Sequence, residues 1–377
     1  MKFFLSCVLV FSFIKVNAQQ ENNHPNIFLI TIDGYRWQEL FKGADTNILK
    51  NPEFVFDTSL ANVRWNGEND FERRKKLMPF FWNVIAQKGS LYGNRACNNK
   101  VDAANIYKFS YPGYNEILTG KPDIIPVLNT PTLNKNTNFF SLFDTTAAYK
   151  NKVAAFCSWS ILKYIFNPTT SHFPVNAGYD DFFDDTATDS IHIAVNNLQN
   201  EVEEKERTRY DEFTFLHAKQ YIKKNLPKLM MIGFGETDEY AHQARYDMYL
   251  QQANKIDNMI GELWYELQQI PFYKNNTIFI ITTDHGRGKK QNKWMNHYTL
   301  IKGSREAWIA VLGNNIEAKG EVKTNSQLYL KQIAPTIAQL ANINIYKPKE
   351  KINIETITST IVTSNTSTTN KVLLSSK

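Results

Sequence analysis

An α/β fold, with helices layered on both faces of a central, mostly parallel sheet, is predicted by two features of this sequence. The first is a set of five short apolar runs separated by segments long enough for helices: NIFLITI (26–32), KVAAFCSW (152–159), LMMIGFG (229–235), TIFIITT (277–283) and AWIAVLG (307–313). Runs this continuously apolar suit strands buried on both faces rather than half-exposed ones. The second is the stretch between LMMIGFG and TIFIITT. There Tyr246, Tyr249, Leu250, Ala253, Ile256, Ile260, Leu263 and Leu267 recur at helical spacing and predict an amphipathic helix over about 245–269. Strands alternating with helices imply crossover connections and hence parallel pairing.

The flanks read differently. MKFFLSCVLVFSFIKVNAQQ opens with Lys2, continues with an apolar stretch and reaches the small-residue site Val16-Asn17-Ala18. This pattern predicts a secretory signal peptide over 1–18, with a mature chain that is periplasmic or secreted and has no transmembrane segment. Cys7 lies inside that segment and is not placed as a lipid-anchoring cysteine. Residues 19–346 are expected to form one catalytic domain. Residues 347–377, rich in Ser and Thr without helical period, read as a loosely ordered tail. QNEVEEKERTRYDEF (199–213) is charged and nearly free of apolar residues, which predicts a solvated helix. Cys97 and Cys157 remain after cleavage, and an oxidising compartment permits a bridge between them. The net charge of +6 is spread thinly with no basic run, which argues against nucleic acid as a partner.

The chemistry gathers at strand ends. NIFLITI runs into Asp33-Gly34, TIFIITT into Asp284-His285-Gly286, and LMMIGFG into Glu236-Thr237-Asp238 with His242 four residues on. In an open parallel sheet ligands bind at the carboxyl ends of strands, so these residues converge on one crevice. Carboxylates and imidazoles without thiolates suit zinc or a similar divalent ion in a catalytic site. Asp238 and His242, at i and i+4, share one helical face. FSYPGYNEILTG (109–120) sets Ser110 and Pro112 at the start of a short helix, where Ser serves well as an N-cap.

Asp33 after the first strand, SYPGYNEILTG, DEYAH and TTDHG, in that order, resemble the alkaline phosphatase superfamily, above all its type I phosphodiesterase/nucleotide pyrophosphatase and sulfatase-like branches. The resemblance implies an alkaline-phosphatase-like layered α/β/α fold and two zinc ions. Asp238, His242 and His297 would hold one ion, and Asp33, Ser110, Asp284 and His285 the other. It implies a small phosphorylated substrate and makes Ser110 the nucleophile, aided by the positive end of its helix. It also implies phosphate contacts from an Asn some twenty residues past the nucleophile, where Asn129, Asn134 and Asn136 are candidates, and from the backbone of Tyr111. Ser158, Trp159 and Lys163, past a strand end, are candidates to line the pocket, with Trp159 also suited to packing.

Two departures narrow the reading. Where sulfatases of this superfamily carry an Arg after the nucleophile, this chain has Tyr114, which favours a phosphoesterase. His297 follows His285 by only twelve residues, an interval that resembles the phosphomutases. The expected function is therefore an exported, metal-dependent hydrolase of phosphate mono- or diesters acting through a phospho-serine. A phosphomutase-like or sulfatase-like enzyme and a non-catalytic binding protein on the same fold are the alternatives. Should His297 not serve as a ligand, His217 and Asp247 are the substitutes.

Overall fold

The computed structural model describes residues 24–122, 128–182, 190–344 and 357; the signal-peptide reading and nearly all of the Ser/Thr-rich tail fall outside them. The strands are β1 (Asn26–Ile32), β2 (Gly89–Tyr92), β3 (Asn99–Asp102), β4 (Val153–Cys157), β5 (Val175–Ala177), β6 (Leu229–Phe234), β7 (Thr277–Thr282), β8 (Glu306–Ala307), β9 (Ile309–Gly313), β10 (Gly320–Glu321) and β11 (Ser326–Tyr329). Eight of them form one sheet in the order β10-β2-β9-β7-β1-β6-β4-β5, and β11-β3-β8 form a second, small sheet. The five strands from β7 to β5 run parallel; β9 lies antiparallel to both β7 and β2.

The layering follows from strand periodicity. Successive side chains of β1 point to opposite faces, so Phe28, Ile30 and Ile32 enter one hydrophobic core while Ile27 and Leu29 enter the other. The first core is roofed by the amphipathic helix Tyr246–Leu267, which contributes Tyr249, Leu250, Ala253, Ile256 and Ile260. The second is roofed by helix Ser110–Thr119 through Tyr111, Tyr114, Ile117 and Leu118, and by helix Ile333–Leu340. The α/β/α arrangement and the mostly parallel sheet are thus present as the sequence predicts.

Two local expectations are corrected, and one open question is answered. The run 307–313 is not one strand. Ala307 pairs with Val101 in the small sheet, the chain turns at buried Trp308, and Ile309–Gly313 enters the main sheet antiparallel. The segment 199–213 is not a solvated helix. Helix Ser190–Asn200 ends there, and the chain then lies back along the residues after β4. Ser160 N donates to the Arg207 carbonyl and Arg209 N to the Ser158 carbonyl, both at 2.8 Å, before helix Asp211–Asn225 begins. Its charged residues Arg209 and Asp211 are buried, because backbone pairing pulls them over the strand ends. Cys97 and Cys157 are both free: Cys157 is buried within β4, while Cys97 ends a short turn beside the small sheet. One residue placed in the tail, Ile357, is buried, and its N–H donates to the Thr336 hydroxyl at 3.1 Å.

Candidate metal centre

The carboxyl ends of β1, β6 and β7 deliver their polar residues to one place. Asp33 leaves β1 into a turn at Gly34, whose φ of +59° suits only glycine without strain. A Cβ there would stand 2.4 Å from Asp238 Oδ1, so this glycine also makes room for the neighbouring carboxylate. Gly34 N donates to Asp284 Oδ1 at 3.0 Å and the Thr237 hydroxyl to the Asp33 carbonyl at 2.6 Å, tying the three strand ends together. Arg36 and Glu39 form a buried ion pair behind them, and Arg36 Nη1 donates to the Gly288 carbonyl at 3.0 Å.

His285 lies at the centre. Its Nδ1 faces the Gly286 carbonyl at 3.0 Å, which turns Nε2 toward the carboxylates. That atom is 3.5 Å from Asp33 Oδ1, 3.4 Å from Asp284 Oδ2 and 3.9 Å from Asp238 Oδ1. Two compact ligand groups result, Asp33–Asp284–His285 and Asp238–His285–His297, with His285 common to both. The family resemblance places His285 in the Asp33 group alone, whereas the geometry puts it within reach of both groups. His297 is buried, with Nδ1 3.2 Å from the Lys108 carbonyl and Nε2 3.0 Å from His242 Nε2. His242 is the exposed member, 3.0 Å from Asp238 Oδ2.

The electrostatics favour a cation. Asp33 is held well above the usual carboxylate range by burial, then by Asp284 and Asp238, against a hydrogen bond from Tyr114. Asp284 is raised as well, by burial first, with His285 opposing. His297 is held well below the usual imidazole value by burial and then by His285, so it stays neutral with a lone pair to offer. Burial would raise Asp238 too, but the Arg287 guanidinium and then His242 hold it well below the usual range. Asp33 Oδ1 and Asp284 Oδ2 are buried without any hydrogen-bond donor among the described residues. Buried carboxylate oxygens left bare are costly unless a proton or a cation meets them. The donor set, oxygens and imidazole nitrogens without sulfur, fits a hard or borderline divalent ion.

Ser110 sits beside this cluster, with Oγ 3.3 Å from His285 Nε2. The N-cap reading is corrected: the extended residue before the helix is Phe109, and Ser110 is the first helical residue and makes no capping bond. Its hydroxyl is turned to the carboxylate end of the sheet instead. Helix Ser110–Thr119 can approach so closely because residue 113 is glycine; a Cβ there would meet the Asp284 carbonyl oxygen at 2.6 Å.

The other candidates separate. Tyr111 N donates to Asn129 Oδ1 at 2.9 Å, so Asn129 is beside Ser110. The Asn134 and Asn136 amides instead donate to Asn115 Oδ1 at 2.9 and 3.0 Å, on the inner side of the helix, and the Tyr111 hydroxyl donates to the Thr132 carbonyl. Ser158 is occupied by Asp211 and Thr214, and Lys163 by Asp180. Trp159 packs on Tyr114 at 6.1 Å between ring centres. Asp247 pairs with Arg245 and His217 stacks on His192, both away from the cluster.

Sequence reasoning missed Arg287 and Glu116, and it marked Tyr114 only as the residue in the sulfatase Arg position, not as a partner of Asp33. Arg287 is fully buried, and its Nη2 donates to Asp238 Oδ1 at 2.6 Å; its place two residues after His285 in DHGRG was the available signal. The Tyr114 hydroxyl donates to Asp33 Oδ2 at 3.1 Å. Glu116 receives backbone N–H groups from Ala104, Asn105 and Lys331 and so braces the loop that leads to Ser110.

Comparison with known proteins gives a family over part of the chain and a fold over most of it. Residues 169–345 match the family model of the Metalloenzyme superfamily. A 2,3-bisphosphoglycerate-independent phosphoglycerate mutase of Gracilaria tenuistipitata var. liui is 29% identical over 131 residues, covering 33% of this chain and only 23% of the mutase. The lipoteichoic acid synthase LtaP from Listeria monocytogenes superposes with a TM-score of 0.55 at 10% identity, over 86% of this chain and 73% of that one. A phosphonate monoester hydrolase from Silicibacter pomeroyi gives 0.52 at 13% identity, over 85% and 74%. No helix among the described residues is long and apolar enough to cross a membrane. Residues 169–345, a little under half of the chain, thus carry the pattern of the Metalloenzyme superfamily, and the fold as a whole is the one these solved structures share.

Proposed function

We propose that this protein is an exported hydrolase of phosphate mono- or diesters that works through a phosphorylated Ser110. The observation that supports it best is the position of the Ser110 hydroxyl, at a helix N-terminus and 3.3 Å from His285, which is itself flanked by two bare carboxylate oxygens. Asp33, Asp284, His285 and Ser110 would hold one zinc ion, and Asp238, His242 and His297 another, with His285 able to serve either. When bound, such ions lower the pKa of a coordinated hydroxyl and neutralise charge on a phosphoryl group.

The protein's own residues supply the rest. Helix Ser110–Thr119 begins at Ser110 and turns the positive end of its dipole toward an incoming anion. Neutral His297 and Arg287-bound Asp238 are fixed before substrate arrives, so little reorganisation is needed. Tyr114 stands where the sulfatase pattern has Arg and spends its hydroxyl on Asp33, which supports phosphoryl rather than sulfuryl transfer.

Ser110→Ala should cut phosphoesterase turnover at least about a thousandfold while leaving the fold intact. Acid-quenched wild-type protein should yield a phosphorylated Ser110 peptide. Wild-type turnover in the Ala variant would end the proposal. A second reading, a phosphomutase, is favoured by the mutase match and the twelve-residue interval. It requires Ser110 to return the phosphoryl group to a second hydroxyl of the substrate instead of to water. With 3-phosphoglycerate, release of inorganic phosphate supports the hydrolase and formation of 2-phosphoglycerate the mutase.

A further inference from the structure

Outside the ligand cluster lies a cavity of about 330 Å³ whose lining includes Lys108, Lys289, Thr299, Lys302, Arg305 and Glu306. Its charge is one-sided. Glu306 serves both Lys289 and Arg95, at 2.5 and 3.7 Å. Asp102 serves both Arg95 and Arg305, the latter at 3.5 Å. Among the described residues, Lys108 Nζ bonds only the Thr299 carbonyl, at 3.0 Å, and Lys302 has no ion pair. Four cations, Lys108, Lys289, Lys302 and Arg305, therefore line one concave space with a single carboxylate, Glu306.

The cavity is built from the same backbone as the candidate centre. Lys108 precedes Ser110 by two residues, and its carbonyl meets His297 Nδ1 at 3.2 Å. Thr299 follows His297 by two residues. Two residues of chain span at most about 7 Å, so a small ligand can touch both places. Tyr298 stands between them. Its ring stacks on His297 at 4.7 Å, it is half exposed, and its backbone is held at φ +152°, where residues other than glycine rarely sit.

We propose that this cavity binds a second anionic group, a carboxylate, phosphate or sulfate, on the alcohol part of the ester whose phosphoryl group meets Ser110. The natural substrate is then a small ester with an additional negative charge. The inference rests on the phosphoesterase reading above for the position of the ester, and on the cavity's own charge for the second anion.

The test compares 3-phosphoglycerate with glycerol 3-phosphate, which share a skeleton and differ by one carboxylate. In K302E/R305E, the ratio of kcat/KM for the first over the second should fall about tenfold, and in K302Q/R305Q by less. Lys150 and Lys274 are exposed and precede β4 and β7, at the opposite end of the sheet. K150E/K274E changes net charge equally and should leave the ratio within about twofold of wild type. An unmoved ratio in K302E/R305E, or an equal fall in K150E/K274E, overturns the cavity. If wild type hydrolyses neither ester, the phosphoesterase reading fails on its own. Calorimetric titration with inorganic pyrophosphate then decides the cavity: weaker binding in K302E/R305E but not in K150E/K274E supports it, and equal binding refutes it.

Discussion

Two clusters of buried carboxylates lie side by side at the strand ends, and they differ in one respect. In the first, Asp211 accepts from the Ser158 hydroxyl and from Gly235 N, at 2.6 and 2.8 Å. Its partner Glu236 accepts from Asp211 N and the Tyr240 hydroxyl, at 2.7 and 3.0 Å, and Gln252 donates to both residues. The second, Asp33 and Asp284, is equally deep, yet one oxygen of each has no donor. The same residue types at the same depth therefore carry opposite meanings. Where protein donors saturate the oxygens, the cluster holds the fold together; where they do not, the space is left for a cation.

The sharpest way to break this contrast is to neutralise one carboxylate in each cluster. Asp284→Asn should abolish phosphoesterase activity to below about a thousandth of wild type, because the bare oxygen is lost as a ligand. Asp211→Asn should retain most of the activity and lower the melting temperature instead, since its donors lose an acceptor. A catalytic collapse in both variants would erase the distinction.

A smaller effect is expected at Arg287. Arg287→Met keeps the bulk but frees Asp238 from its guanidinium, and partners of this kind usually account for about 10–100-fold in metal affinity. Equilibrium dialysis with zinc measures it; an unchanged affinity would make Arg287 a packing residue only. Gln252→Leu should act on the other cluster alone, costing about 3 kcal/mol of stability through two lost bonds to acidic groups, with zinc content unchanged.

The smallest expected effect is a pH slope. Burial raises Asp211 to about 6, and burial with Asp211 nearby raises Glu236 to about 8. Because these values lie above the ordinary carboxylate range, the folded protein keeps protons that the unfolded chain has shed. Their contribution is full below about pH 4 and is lost as pH rises through 6 to 8. Melting temperatures across that window should fall less steeply in Asp211→Asn than in wild type.

Much of this was legible in the sequence, and the limits were physical. Continuous apolar runs revealed β1, β6 and β7, and strand-end motifs pointed to Asp33, Asp284 and His285, because burial on both faces and the end of a strand each leave a local mark. β2 and β5 escaped, being four and three residues long with no periodicity to read. The roles of Arg287 and Tyr114 as partners of Asp238 and Asp33 were invisible for another reason. What makes them matter is contact with residues 49 and 81 positions away, which spacing cannot reveal. The charged segment after Asn200 misled because its composition suits solvent, while its burial is imposed by pairing with the chain after β4.

Metal content by elemental analysis of the purified protein and two variants tests the central claim most directly. Wild type and Asp211→Asn should each carry close to two zinc ions per chain, and the double variant Asp33→Asn/Asp284→Asn should lose at least one of them while remaining folded by circular dichroism. Equal metal content in all three proteins, or none in any of them, would contradict the reading that bare carboxylate oxygens mark the catalytic centre.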